Sequence, residues 1–480
     1  MRFAGRAARR RRRVVWALDR RSLHHLLTEY GMLSGGAGKV ARESADMTVG
    51  ARVRSLAFWT LDRVRGGKVA SHLRDLALLD DDPALSEERQ AERLQHLLAH
   101  ACQSTAHYRQ FSGAAGLSEF PVLQKRVIRE HHRDFLSSLY APESLVIKKT
   151  SGSYGTPLAF HMTREKVSRH QAEVIHYARW AGYELGVRHA QTRTRDIRGP
   201  LRLWMQNQVI INPTHLTEEW LAAQRQLLRT QPIAFMFGFP SAFAAIAAYC
   251  RAHGDTPADF ALRGVITIAE PLREGARNVI EAAFGCPAYS RYTAEEFGVL
   301  GQECPSAKQH HLNRGSFVFE LLNRENDAPA APGQPGRVVV TDLWSQAMPL
   351  IRYDLGDVAV MAERCACGWE GPVLTRIEGR VFETVCDTAG NRVSPFAINS
   401  RIEDLEDIIQ FQFVQHEPRR YTVRLCVLPL FAGEETLRSR LMAILGSEAE
   451  LAVEYVKEIP ALTSGKRAYI VNEMEAAGPV

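Results

Sequence analysis

Five hydroxyl side chains and two glycines fall within eight residues, Thr150-Ser151-Gly152-Ser153-Tyr154-Gly155-Thr156-Pro157. That composition makes a poor helix or strand interior, but its hydroxyls and freely turning backbone N–H groups can converge on phosphate oxygens. The flanks, residues 145–149 and 158–162, read as extended, so the octet is expected to join two strands. No Lys-Ser or Lys-Thr pair follows the second glycine, which separates the octet from a Gly-x4-Gly-Lys phosphate loop. Taken alone, it reads equally well as a Ser/Gly-rich hairpin loop.

Further candidates follow strand ends, where ligands of α/β sheets bind. Ala269-Glu270-Pro271 comes after the apolar run 264–268, and Tyr292-Thr293-Ala294-Glu295-Glu296-Phe297-Gly298 after 288–291. A carboxylate beside a glycine there can hold Mg²⁺, which takes one or two carboxylates and leaves its other positions to water and phosphate. Each glutamate singly reads as readily as a surface or capping residue. In Arg352-Tyr353-Asp354-Leu355-Gly356-Asp357 a polar turn interrupts apolar sequence, and Asp357 can accept two hydrogen bonds from a ribose diol or close an Asx turn. Gly379-Arg380 ends a segment. Lys466 stands in the loop Thr463-Ser464-Gly465-Lys466-Arg467, where its compact, mobile charge suits phosphate. Cys365 and Cys367, with Cys304 and His311 upstream, offer three thiolates and an imidazole, enough for a closed tetrahedral zinc site. The alternative is unrelated core residues and a surface histidine. Trp204, Phe235, Phe237, Phe239, Tyr289 and Tyr292 can line an apolar pocket for an aryl or acyl acid, although most serve equally well as core.

The elements that must position these groups alternate in the α/β manner. Strands are expected over 201–205, 208–212, 233–237 and 264–268, helices over 218–229, 241–252 and 273–284, and a further helix after an N-cap at Thr163. Residues 52–113 are helical in pattern, with Leu94, Leu97, Leu98 and Cys102 on one face. From about 381 a smaller α/β piece begins: helix 396–407, strands 409–414 and 421–428, helix 437–445 and strand 451–456. A length of 480 residues calls for more than one domain. Hydrophobic content of 45%, charged content of 24% and a mean hydropathy of -0.21 are those of a globular chain. Of the net charge of +6, much sits in the arginine block of residues 2–21, so the body presents no basic nucleic-acid face. Residues 1–50 read as a solvated basic tail. Eight scattered cysteines suit a reducing compartment, and no apolar run is long enough to span a membrane.

The motif order resembles that of adenylate-forming enzymes: Ser/Thr/Gly loop, Ala-Glu-Pro, Tyr-x-x-x-Glu, Arg-Tyr-Asp-x-Gly-Asp, Gly-Arg and Ser-Gly-Lys-Arg. From about residue 90 onward the chain is similar to the phenylacetate-CoA ligase family and its CapK-like branch of capsular-polysaccharide biosynthesis. The resemblance implies a large N-terminal adenylate-forming domain of helix-covered β-sheets, residues 51–380, and a small mobile α+β C-terminal domain, 381–480, carrying a catalytic lysine. It implies a pyrophosphate loop at Thr150, Ser151, Gly152, Ser153 and Gly155, an adenine-side segment at Glu270 and Pro271, and nucleotide contact at Tyr292. It also implies a Mg²⁺-associated Glu296, a ribose pair Asp357 and Arg380, and Lys466 as the lysine meeting the carboxylate and α-phosphate. The reaction implied is ATP-dependent activation of an aryl or acyl acid to an acyl-adenylate, followed by transfer to a thiol such as CoA. Carrier-protein thiols and amines are alternative acceptors, a polysaccharide or secondary-metabolite ligase or a non-catalytic nucleotide-binding protein alternative roles, and a homodimer and a cytoplasmic location fit the same family. Some family members carry a structural zinc that the Cys304, His311, Cys365 and Cys367 set resembles. Tyr154 and Thr293 depart from the family's small loop residue and Gly, and Phe382 and Glu383 stand where two acidic residues are common. The run from Cys386 is closer to the CapK pattern, so adenylation is better supported than transfer to CoA.

Overall fold

The computed structural model describes residues 47–149, 158–193, 200–213, 216–323, 326–331, 333–380, 385–393, 398, 401–402, 405, 407–428, 431–460 and 467–474. The octet 150–157, Lys466 and the substitutions at 382–383 lie outside the described residues, as does most of the helix expected over 396–407.

Helices α1 (Val49–Val64), α2 (Lys68–Asp81) and α3 (Pro83–Ser104) realise the early helical pattern. Thr48 caps α1 by accepting from the Ala51 N–H at 3.2 Å, and Asp82 caps α3 through Leu85 N–H at 3.0 Å, with Pro83 at the position where a missing donor costs nothing. Leu97 is fully buried and Leu98 and Cys102 pack beside it, as their spacing requires. After α4 (Lys125–Glu130), strands β1 (Val146–Lys149) and β2 (Ala159–Met162) pair antiparallel with Lys149 opposite Ala159, so the octet does connect two strands. Helix α5 (Arg164–Trp180) starts at Thr163, whose hydroxyl accepts from Lys166 N–H at 3.1 Å.

The parallel part of the main sheet comprises β3 (His189–Thr192), β4 (Gln208–Ile211), β5 (Phe235–Gly238), β6 (Gly264–Ile268) and β7 (Ala288–Ala294). Between them run α6 (Pro200–Gln206), α7 (Glu218–Thr230), α8 (Pro240–Ala252) and α9 (Glu274–Phe284). Residues 201–205, expected as a strand, are helix α6. Four apolar residues in a run of five suit either element, and Pro200 pre-sets a helical first turn. Trp204 is 60% exposed under the Arg54 guanidinium and lines no pocket. Met236, Phe243, Val265 and Ile280 fill one face of this sheet, while Tyr183, Phe235 and Phe237 meet edge to face on the other.

Beyond β7 the sheet turns antiparallel through β8 (Gly298–Glu303), β9 (His310–Leu312), β10 (Phe317–Leu322), β11 (Gly336–Asp342), β12 (Tyr353–Arg364) and β13 (Glu370–Arg380). Among the described residues the order is β10-β11-β12-β13-β9-β8-β7-β6-β5-β3-β4. The Tyr-Asp-x-Gly-Asp turn expected from sequence lies within the start of β12 as a bulge: Asp354 accepts from Gly356 N–H at 2.8 Å, Gly356 has φ +74°, and the register against β11 shifts between Arg337 and Val339. A short hairpin, β14 (Val385–Cys386) with β15 (Arg392–Val393), precedes β16 (Ile408–Gln415), β17 (Arg420–Val427), α10 (Glu434–Leu445), β18 (Glu450–Tyr455) and β19 (Ile470–Asn472). These form a four-stranded sheet with its own core of Phe411, Phe413, Tyr421, Leu437 and Leu441. No helix of the described residues is long and apolar enough to cross a membrane.

Candidate functional site

The parallel strands deliver their C-terminal ends to one edge, and the backbone there is specialised. Gly238 closes β5 at φ +153°, where an added Cβ would collide with the Thr192 side chain, and Thr192 Oγ1 accepts from Phe239 N–H at 3.1 Å. Ala269, just past β6, has φ +71°, and Arg352, just before β12, φ +49°. Non-glycine residues are held so only where surrounding contacts over-determine them, and such places cluster at functional sites. Arg352 is fixed by a fork onto Glu320 at 3.0 Å and by the Phe120 carbonyl at 2.8 Å.

Three of the residues marked from sequence converge where the parallel and antiparallel halves meet. The Tyr292 hydroxyl donates to Asp357 Oδ2 at 2.7 Å. Asp357 faces Arg380 across the β12–β13 ladder. Nearby, Tyr353 donates to Glu296 Oε1 at 3.1 Å, and Lys125 Nζ lies 3.8 Å from the same oxygen. Sequence reasoning gave no role to Tyr353 or Lys125; only pairing across 57 and 171 residues reveals them. Glu270 is buried on the neighbouring strand end. Its carboxylate accepts from Ser241 N–H at 3.2 Å at the start of α8, from Arg467 N–H at 3.0 Å and from the Tyr469 hydroxyl at 3.2 Å. The Arg467 guanidinium donates to the Ile459 carbonyl at 2.7 Å, and the Arg273 guanidinium lies 4.2 Å from the Phe411 ring centre and 4.3 Å from that of Tyr469. Glu270 thus ties the edge of the large sheet to the residue following Lys466.

Behind this edge lies a buried ionic layer. Lys166 and Asp342, each 1% exposed at the side chain, pair at 2.9 Å. Arg169 bridges Asp75 at 2.5 Å and Ser316 at 2.8 Å. Lys148, two residues before the octet, donates to His170 Nδ1 at 2.9 Å. The His170 ring is held well below its usual range by burial and by the charges of Lys148, Lys166 and Arg291, so it accepts as a neutral ring.

The cysteine set also assembles. Cys304 Sγ, Cys365 Sγ, Cys367 Sγ and a ring nitrogen of His311 all lie within 4.8 Å of one another, and Cys367 Sγ is 3.5 Å from His311 Nε2. Tetrahedral zinc with three sulfurs and one nitrogen sets ligand atoms about 3.4–3.8 Å apart, so the residues present fit that ion. Two tight turns present the thiols: Lys308 N–H to the Cys304 carbonyl at 3.2 Å, and Gly368 N–H to the Cys365 carbonyl at 3.0 Å, with Gly368 at φ +91°. Burial raises the Cys304 thiol, but hydrogen bonds from Ser306 outweigh it and leave it lowered; burial pushes Cys365 up to about 12. His311 stacks on Trp369 at 4.3 Å and 10°, which fixes the ring plane. His310 takes no part.

Comparison with known proteins follows this geometry. Residues 385–473 match the CapK C-terminal domain family. The chain is 25% identical over 311 residues to phenylacetate-coenzyme A ligase of Thermus thermophilus, covering 60% of this chain and 70% of that one. It is 23% identical over 378 residues to protein CapK of Staphylococcus aureus, covering 75% and 81%. Among solved structures it resembles 2-hydroxyisobutyryl-CoA ligase in the postadenylation state with 2-HIB-AMP, at TM-score 0.65, 19% identity and coverage of 81% and 89%. The same ligase in the thioesterification state gives a TM-score of 0.56 with 18% identity, covering 83% and 92%. The fold is therefore that of the adenylate-forming CoA ligases.

Proposed function

From its similarity to phenylacetate-coenzyme A ligases and CapK, we propose that the chain activates a carboxylic acid with ATP. The acid's carboxylate oxygen attacks the α-phosphorus, the bond to the β-phosphate oxygen breaks, and pyrophosphate leaves behind an acyl-adenylate. The observation that carries this reading is the meeting of Tyr292, Asp357 and Arg380, brought together from strands far apart in sequence. In it the Asp357 carboxylate accepts the ribose hydroxyls, the octet at Thr150, Ser151, Gly152, Ser153 and Gly155 receives the departing phosphates, and the strand end at Glu270 and Pro271 borders the adenine. Glu296 is the carboxylate for Mg²⁺, which when bound neutralises charge on the phosphates. Lys466 stabilises the charge that gathers at the α-phosphate, with no covalent enzyme intermediate. Its neighbour Arg467 is anchored on Glu270.

The test is acid-dependent ATP–pyrophosphate exchange across a panel of carboxylic acids. Exchange is expected with at least one acid, and Lys466→Ala should slow it by on the order of 10²-fold. Full-rate exchange in that variant removes Lys466 from the mechanism, and silence across the panel leaves a non-catalytic nucleotide-binding protein. The acceptor of the second step is a thiol such as CoA in the favoured reading, with a carrier-protein thiol or an amine as alternatives that product mass distinguishes. For Cys304, His311, Cys365 and Cys367 the assignment is a structural zinc. Protein purified without chelator should carry about one equivalent, and Cys365→Ser should lower Tm by about 5 °C or more. Zinc below a tenth of an equivalent counts against the site.

A further inference from the structure

Among the described residues, Arg291 is buried without a counter-ion. It stands on β7 one residue before Tyr292, with 5% of its surface exposed. Its Nε donates to Gln302 Oε1 at 2.8 Å, and its Nη2 has no hydrogen-bond partner among the described residues. Gln302, opposite it on β8, donates its own amide to the Ser290 carbonyl at 3.2 Å, which keeps the amide oxygen turned to Arg291. Four other buried cations are paired with carboxylates, Lys166 with Asp342, Arg169 with Asp75, Arg277 with Glu303 and Arg352 with Glu320, while Arg314 lies over the Trp369 ring and Lys148 donates to His170. Among the described residues the ionisable group whose field acts on Arg291 is the Tyr177 phenol, neutral at ordinary pH. Burial lowers the guanidinium to about 10, so it keeps its charge at neutral pH. A buried charge left uncompensated is strongly destabilising, and a group so placed beside a ligand site is a candidate for function.

Register shows which face the charge occupies. Phe237 pairs with Ile266, Ile268 lies opposite Arg291, and strand alternation sets all four on one face of the sheet. That face is covered by α5, where the Arg291 charge reaches the His170 ring and interacts with Tyr177. It also carries Gln191, opposite Phe237, and Gln302, with the buried Glu173 on the covering helix, and it is the reverse of the face on which Tyr292 reaches Asp357. From these placements, and resting on the acid-activation reading above, we infer that the acid carries a second anionic group, such as a distal carboxylate, which Arg291 binds as its missing counter-ion. Its reacting carboxylate lies toward the phosphates and its distal one seats on the guanidinium, with Phe237 and Ile268 beside the chain or ring between them. Arg291 is then a specificity-determining residue. A site built to pair a buried charge rejects the analogue that leaves it bare far more strongly than an apolar pocket rejects a missing methylene.

The experiment compares two pairs of acids in pyrophosphate exchange, adipate with hexanoate and 4-carboxyphenylacetate with phenylacetate, for the wild type, Arg291→Lys and Arg291→Met. In at least one pair the diacid is expected to exceed its monoacid in kcat/KM by 10-fold or more. Arg291→Met should cut that ratio at least 10-fold, and Arg291→Lys should retain part of it. Because the readout is a ratio, partial loss of folded protein does not mimic the result. In parallel, the shift in Tm caused by each diacid is measured without ATP and should vanish in Arg291→Met. Exchange that favours the monoacids in both pairs, or a ratio untouched by Arg291→Met, overturns the inference while leaving acid activation standing. A diacid Tm shift that depends on Arg291 in a protein without exchange supports the binding role and removes the activation reading instead. Absence of both exchange preference and Tm shift overturns it outright.

Discussion

Asp357 owes its orientation to the phenol of Tyr292 at 2.7 Å and its position to a ladder partner, Arg380, from the strand that ends the large domain. A carboxylate fixed in this way pays little ordering entropy when it accepts a ribose diol. Hydrogen bonds to charged groups are worth about 1.5–3 kcal/mol, so Asp357→Ala should raise the KM for ATP in pyrophosphate exchange by about 10- to 100-fold. Tyr292→Phe, which removes only the orienting donor, should raise it by roughly 3- to 10-fold. An ATP KM unmoved by Asp357→Ala would place the nucleotide elsewhere. At the same scale, Lys148 and His170 form a hydrogen bond between two basic groups, which requires the imidazole to be the neutral partner.

Among the elements, α7 and the turn after α8 are joined by one buried carboxylate. Asp255 accepts from Arg225 Nε at 2.5 Å and Nη2 at 2.7 Å, and from Arg229 Nη1. The Arg225 hydrogen bonds, with Arg229 adding to them, hold this carboxyl below its usual range. A folded-state pKa below the unfolded value of about 3.9 means the contribution is complete above roughly pH 5 and fades as pH falls through the folded pKa. The urea midpoints of wild type and Asp255→Asn should therefore differ by a constant amount from pH 5 to 8 and approach each other toward pH 3. A gap that stays unchanged at pH 3 would show that Asp255 acts through packing and not through its charge. The link matters for the site because α7 and α8 brace the sheet whose strand ends carry Gly238 and Glu270.

Across the molecule, the contact that couples the two sheets is centred on residues next to the site. Glu270 receives Arg467 and Tyr469, and Arg273 lies between the rings of Phe411 and Tyr469. Two cation–π contacts of about 0.5–1 kcal/mol each hold this junction. Removing them with Arg273→Ala should speed amide exchange in residues 408–415 by about 5- to 30-fold. Unaltered exchange there would mean that Glu270 alone secures the junction.

Local physics was readable from the sequence alone. The Thr163 cap, the helix face of Leu97, the strands flanking the octet and the β-strand alternation of residues 409–414 all depend on near neighbours, and the structure bears them out. Residues 201–205 and 353–357 misled because five residues carry too little periodicity to tell helix from strand, or turn from bent strand, and long-range pairing settled both. Tertiary structure alone decided which carboxylates face which cations. Nothing in the string of residues around Arg291 tells that Gln302 would be its neighbour and that no acid would follow, since burial and counter-ions are set by strands and helices distant in sequence.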